Sequence, residues 1–332
     1  DEFYTLCDRE GMLVWAEIPL VGKALDTPEF TENMKTELTE LIRQNFNHPS
    51  IFCWSLCNEL SKGDVKGLIS ELNSVSHRED PGRLTVLAAN VEKRPENAVP
   101  DIMAFNTYPG WYWAEPSEMK STLERWNRQC GNKGIAVSEY GAGANVWHHW
   151  QTGKKTPKAD GVFHPEEWQA TVHEQTYDAI KRSGFAWGSF VWNMFDFAAD
   201  ARDQGGEPGM NHKGLVTFDR KTKKDSFFLY KAYWSEEPFV HLCGSRRSDR
   251  SEDTTTIKVY TNQPVVSLYN NGELIEQKSG NHIFTFQLPM EKENKIEAVA
   301  GSVKDAMVLH HTEKENPDYK LKKEAKKSEN WV

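Results

Sequence analysis

Short apolar runs separated by segments of helical spacing are the feature that most narrows what this chain can fold into. The runs Met12–Ile18, Ile51–Leu56, Leu84–Ala88, Ile102–Asn106, Ile135–Ser138 and Phe185–Trp192 fit strands buried on both faces, the hallmark of a parallel sheet. Between them the apolar period changes to that of a helix. Thr27-Pro28-Glu29 reads as a cap, a first-turn proline and an acid matched to the helix dipole. It precedes the stripe Phe30, Met34, Leu38, Leu41 and Ile42. Val65, Leu68, Ile69, Leu72 and Val75 form a second stripe, and Met119, Leu123 and Trp126 a third. A fourth helix opens at Pro165 and closes near Gly184. Strand and helix in alternation predict a parallel α/β fold.

The pattern changes near Glu236. "TIKVYTN", "VVSLYNNGELIEQKSG", "HIFTFQLP" and "NKIEAVAGS" alternate apolar and polar residues, and Asn271-Gly272 is a strong hairpin signal. A small antiparallel sandwich over 236–312 is expected. Residues 313–332 are too charged to build a core and read as a loose tail. At 332 residues the chain has room for one barrel-sized unit and one small domain.

Charge and composition exclude some partners. A formal net charge of −9 disfavours nucleic acid and anionic membranes. The sequence contains no apolar stretch long enough to span a bilayer. "DEFYTLCDRE" has neither the basic nor the apolar region of a signal peptide. Cys7, Cys53, Cys57, Cys130 and Cys243 show no zinc spacing and read as small buried apolar residues. No metal constellation or cofactor motif is visible.

Two glutamates carry the chemistry. "FCWSLCNEL" delivers Asn58 and Glu59 where an apolar run stops, and "GIAVSEYGAG" delivers Glu139 at the end of another. In parallel α/β folds the carboxyl ends of the strands converge on one face, so both acids point to a shared cavity. Paired carboxyls suit glycoside hydrolysis, one protonating the leaving oxygen while the other attacks or activates water. Tyr108, Trp111, Tyr112 and Trp113 follow one strand, and Trp192, Asn193 and Asp196 end the last. Flat aromatics beside amide and carboxyl groups match the apolar faces and hydroxyl edges of a sugar. Taken singly, either acid could equally cap a helix or pair on the rim, and the aromatics could be ordinary packing.

"WSLCNEL" and "VSEYGAG" resemble the acid/base and nucleophile motifs of glycoside hydrolase family 2. "DEFYTLCDREGMLVWAEIP" is similar to the segment entering that family's third barrel strand, and "ADARDQGGEPGMNHKGLVTFDRKTKKDSFFLYKAYW" to the stretch after its barrel, in the form found in bacterial β-galactosidases. The resemblance covers about residues 1–235. It implies a (β/α)8 TIM-type barrel of which this chain supplies strands three to eight, followed by an immunoglobulin-like sandwich. It further implies a retaining double displacement with Glu139 as nucleophile and Glu59 as acid/base, their carboxyls ~5–5.5 Å apart. Asn58 corresponds to the residue that bonds the sugar 2-hydroxyl, Tyr108 to the one that orients the nucleophile, and Trp192 to the floor of the sugar subsite. Glu17, ending the third strand, is expected to be a hydroxyl acceptor or an orienting group, and a structural pairing would explain it as well.

The same resemblance implies a β-galactoside as substrate. Asn211 and Lys213 resemble the N-x-K element with which β-glucuronidases bind a sugar carboxylate, so β-glucuronidase is the alternative. A catalytically silent carbohydrate-binding fragment is a further one. With strands one and two missing, cover for the open barrel is expected from N-terminal domains of a longer parent or from a homo-oligomer. The resemblance also suggests export to the periplasm or beyond.

Overall fold

The computed structural model describes residues 2–62, 65–90, 95–132, 134–150 and 156–320. The chain divides into two compact units. The first holds residues 1–107, 119–140 and 179–190, and the second holds 108–118, 141–178 and 191–332.

The first unit is built on a parallel sheet. Its strands are β1 (Val14–Glu17), β2 (Val21–Lys23), β3 (Ile51–Lys62), β4 (Leu84–Ala89), β5 (Ala104–Asn106), β6 (Ile135–Tyr140) and β7 (Ala186–Val191). They lie in the order β1-β3-β4-β5-β6-β7, with β2 also pairing β3. This is a half-barrel, and among the described residues β1 and β7 are its two edges. Cys53, Val86, Ala104 and Ala136 form an apolar line through four successive strands, which is why those runs lack polar alternation.

The helices of this unit are α1 (Glu2–Glu10), α2 (Pro28–Asn45), α3 (Val65–Glu79) and α4 (Met119–Gln129), while α5 (Glu166–Ser183) begins in the second unit. Thr27 caps α2 as its sequence predicts, Oγ1 accepting from the Phe30 amide at 3.2 Å. Met34, Leu38 and Ile42 are buried on that helix, each burial stabilising by roughly 1.5–3 kcal/mol. The α3 stripe is buried in full. Gly184 ends α5 with φ +70°, the left-handed conformation favoured just past a helix.

Sequence periodicity does not reveal α1, because it buries only Cys7 and so carries no stripe. The helix α6 (Asp225–Trp234) escapes for the opposite reason, being apolar on nearly every side through Phe227, Phe228, Leu229 and Tyr230. Four cysteines are buried as expected, but Cys130 is only partly so; none is bonded to another.

In the second unit β8 (Phe197–Ala198) pairs with β9 (Met210–Asn211). Past α6 the chain builds two sheets. One joins β10 (Val240–Leu242), β12 (Thr254–Thr261) and β15 (His282–Pro289). The other runs β11 (Asp249–Arg250), β17 (Val303–His311), β16 (Glu293–Ala300), β13 (Val265–Asn270), β14 (Glu273–Ser279). All their pairings are antiparallel except β11 with β17. Alternate residues from both sheets make one core, among them Ile257, Val259, Leu268, Phe284, Phe286 and Leu309. Asn271 and Gly272 turn the β13–β14 hairpin with φ +52° and +88°, the positive values a two-residue turn of this type demands.

The switch to alternating strands after Glu236 falls inside the second unit. The expected loose tail needs correction at its start. Tyr319 is buried, its hydroxyl accepting from the Asp249 amide at 2.7 Å and its carbonyl from the His149 amide at 3.1 Å. One aromatic residue, with Asn316 donating to Asp249 at 2.7 Å, anchors a segment whose other side chains are mostly charged. Residues 321–332 of that tail lie outside the described residues.

Candidate active site

Glu59 does not end its strand. The β3 backbone continues to Lys62, and Glu59 itself sits at φ +52°. For a residue with a Cβ this left-handed conformation costs roughly 1–3 kcal/mol, a strain that concentrates at functional positions. Sequence reading stops the strand early because the apolar run ends at Cys57, whereas β2 goes on pairing with β3 from Asn58 to Lys62.

Asn58 is held from both sides. Its amide donates to the Leu20 carbonyl at 2.8 Å, and its residue lies opposite Ala88 of β4. Glu139, next to last in β6, lies in register with Asn106 of β5, and its carbonyl accepts from the Thr107 amide at 2.8 Å. Both glutamates and Asn58 are half-buried.

The residue that ties these positions together is Asn106, which is 5% exposed. Its Nδ2 donates to Asn58 Oδ1 and to Glu59 Oε1, both at 2.8 Å. Its Oδ1 accepts from Ser138 Oγ at 2.7 Å. One side chain thus links the acid motif on β3 with the residue before Glu139 on β6. Sequence analysis placed Asn106 only as the end of a strand. Its position in register with Glu139 was the available signal, but it is visible only once strand pairing is known.

Glu17 stands opposite Ser55 and accepts from Ser55 Oγ at 2.6 Å and from Trp15 Nε1 at 3.2 Å. The residue is exposed, yet its carboxyl folds back onto the strand. Loss of water around it raises its pKa, against the two hydrogen bonds, which lower it. These contacts fit the orienting role better than that of a free acceptor.

The remaining candidates, Tyr108, Trp192, Asn211 and Lys213, belong to the second unit. Tyr108 and Trp111 are buried with Ala142 and Val172, and Trp192 packs against them. Lys213 is only 1% exposed, and its Nζ lies 5.1 Å from the ring centre of Tyr112, 5.8 Å from that of Tyr108 and 6.0 Å from that of Trp111. Asn211 Oδ1 accepts from the Lys213 amide at 3.1 Å, so the first residue of N-x-K fixes the backbone of the third. Burial works to raise the Tyr112 pKa, but the adjacent Lys213 and Arg202 charges outweigh it and hold the phenol below its usual range. A phenol flanked by two cations is an environment made for a negative group.

Behind this cluster Lys224 is fully buried. Its Nζ donates to the carbonyls of Ala144 at 2.7 Å and His212 at 2.9 Å, and to Asp196 Oδ1 at 2.8 Å. Burial pushes Asp196 up and Lys224 down, and their mutual attraction opposes both shifts. Gly214 is required here, since a Cβ on it would lie 2.0 Å from the Asp196 amide nitrogen. Among the described residues the group with potential metal-ligand geometry is Asp225, His241 and Cys243, and its carboxylate already accepts from His241 Nε2 and the Gly244 amide.

Residues 1–237 match the model for glycosyl hydrolases family 2, TIM barrel domain. The chain belongs to glycosyl hydrolase family 2. A β-glucuronidase of Bacteroides fragilis is 43% identical over 279 residues, which cover 81% of this chain and 40% of that protein. The family fold is matched by an FMN-binding β-glucuronidase from Facaelibacterium prausnitzii L2-6, with TM-score 0.91, 36% identity and coverage of 97% of this chain and 50% of the other. A Bacteroides fragilis structure provisionally named a β-galactosidase gives TM-score 0.89 and 36% identity over 94% of this chain and 48% of its own. This family 2 chain therefore spans between two fifths and half the length of these three relatives.

Proposed function

We propose that this family 2 chain carries the catalytic carboxyls of a retaining β-glycosidase and that its sugar is a β-glucuronide. The observation that carries the catalytic reading is the Asn106 link between the strained Glu59 and the β6 segment that bears Glu139. Glu139 attacks the anomeric carbon, breaking the glycosidic bond as Glu59 gives its proton to the departing oxygen. A covalent glycosyl-enzyme results. Glu59 then takes a proton from water, which displaces Glu139 and frees the sugar with retained configuration. Asn106 fixes Glu59 Oε1, and Asn58, held by the same amide, is aligned for the sugar 2-hydroxyl.

The galactoside expectation gives way to the glucuronide. Lys213 is a buried cation set among three aromatic rings, and an ammonium held in such a place is the kind of point charge that recognises the carboxylate of a uronic acid. The relative sharing 43% identity is named for glucuronide cleavage, which supports the same choice. The sandwich is read as immunoglobulin-like, and the β1 and β7 edges as surfaces for further barrel strands or a second copy.

The test is a panel of nitrophenyl β-glucuronide and β-galactoside with the intact protein and with Glu59→Gln and Glu139→Gln. Each variant should lose hydrolysis by a factor of at least about 1,000 while still binding sugar. Undiminished turnover in either variant rejects the assignment, and a preference for the galactoside rejects the glucuronide.

A further inference from the structure

The second unit contains a cleft of about 660 Å3, mouth included, whose wall holds two arginines that the catalytic reading does not use. Arg250 is 3% exposed and donates only to neutral oxygens: Thr255 Oγ1 at 2.7 Å, and the carbonyls of Arg247, Thr256 and Gly244 at 3.2 Å each. Arg247 is 6% exposed. It forms a two-pronged bond with Glu252 at 2.9 and 2.7 Å, but its Nε is buried with no partner.

The acids on the same wall are already engaged. Glu252 is held by Arg247 and Thr255, and Glu167 by His149 and the Trp150 amide. Asp225 accepts from His241 and the Gly244 amide. Lys258, the third cation of the wall, pairs with Glu174 at 2.6 Å. Among the described residues of the wall, the positive charge left without a hydrogen-bonded counter-ion is that of Arg250. Burial, and then its neighbour Arg247, bring the Arg250 pKa down to about 10, the mark of an uncompensated buried cation. A buried charge is costly unless paired, and a buried N–H without an acceptor adds to the cost.

We propose that this cleft binds a small oxyanion group, a phosphate or carboxylate, between Arg247 Nε and the Arg250 guanidinium. Planar guanidinium groups match such anions through paired hydrogen bonds. Thr254, exposed on the wall, and Trp150 give the rest of an organic ligand polar and aromatic surface to lie on. The proposal does not depend on the glycosidase reading, because no candidate catalytic residue lines the cleft.

Calorimetric titration of the chain with inorganic phosphate, phenyl phosphate and glucuronate tests it and separates the sources of the anion. Saturable one-to-one binding of at least one is expected. Arg247→Lys, which keeps the pair with Glu252 but loses the Nε geometry, should weaken it about tenfold, the effect of one charge-assisted hydrogen bond. Thr254→Glu adds a repelling charge at an exposed position without disturbing the buried wall, and should weaken binding by a similar factor. Tighter binding of phenyl phosphate than of phosphate identifies an organic phosphate, and binding of glucuronate alone identifies a carboxylate. Absence of saturable binding by all three, or binding unchanged in both variants, overturns the proposal.

Discussion

Asn106 donates from Nδ2 to Glu59 Oε1 at 2.8 Å, from a side chain that also holds Asn58 and accepts from Ser138. The acid on β3 is therefore positioned by a residue two strands away.

Removing that hydrogen bond should harm chemistry more than binding. Asn106→Ala is expected to lower kcat about 10- to 100-fold with little change in KM, the loss of one hydrogen bond to a carboxyl group. Steady-state kinetics on an aryl glycoside read the split. An effect confined to KM would show that Asn106 binds sugar and does not position Glu59.

Lys213→Met replaces a buried ammonium with an apolar side chain of similar length. Catalytic efficiency toward the β-glucuronide should fall about 100-fold, while a β-galactoside, which has no carboxylate, should lose little. Equal losses on both substrates would assign Lys213 to the frame of the pocket.

Gly214→Ala puts a methyl group against the Asp196 backbone. Destabilisation of at least about 3 kcal/mol is expected, since neither backbone segment can yield without breaking the Lys224 contacts. Chemical denaturation with an unchanged m-value is the measurement, and a loss below 1 kcal/mol would mean the loop repacks easily.

Stability should fall as pH drops through the histidine range. Burial lowers His148 to a pKa of about 4 and His164 to about 3, from 6.5 in the unfolded chain. The unfolded state thus binds more protons between pH 6.5 and 4, and each histidine contributes a slope approaching about 1.4 kcal/mol per pH unit. His164→Gln should flatten the denaturation midpoint's pH dependence in that window. A slope identical to wild type would show that His164 does not drive the acid transition.

What the sequence revealed and what it concealed differ in physical kind. The strands, the cap at Thr27, the hairpin at Asn271-Gly272 and both glutamate motifs follow from local propensity and period, which one chain displays unaided. Asn106, Ser138 and Lys224 act through partners 12 to 80 positions away in sequence. An isolated Asn or Lys at a loop gives no hint of such a partner. The choice between galactoside and glucuronide is weak in the sequence for a related reason. The letters Asn211-His212-Lys213 are legible, but the burial of Lys213 among three rings, which supports the glucuronide reading, is not.

Lys224 gathers the segments around Ala144, Asp196 and His212 onto a single ammonium, and two of its three acceptors are main-chain oxygens. Any residue at 144 or 212 offers the same carbonyl. The loops of this region can accordingly exchange side chains, and with them the preference for one sugar over another, while the knot that holds their backbones stays tied.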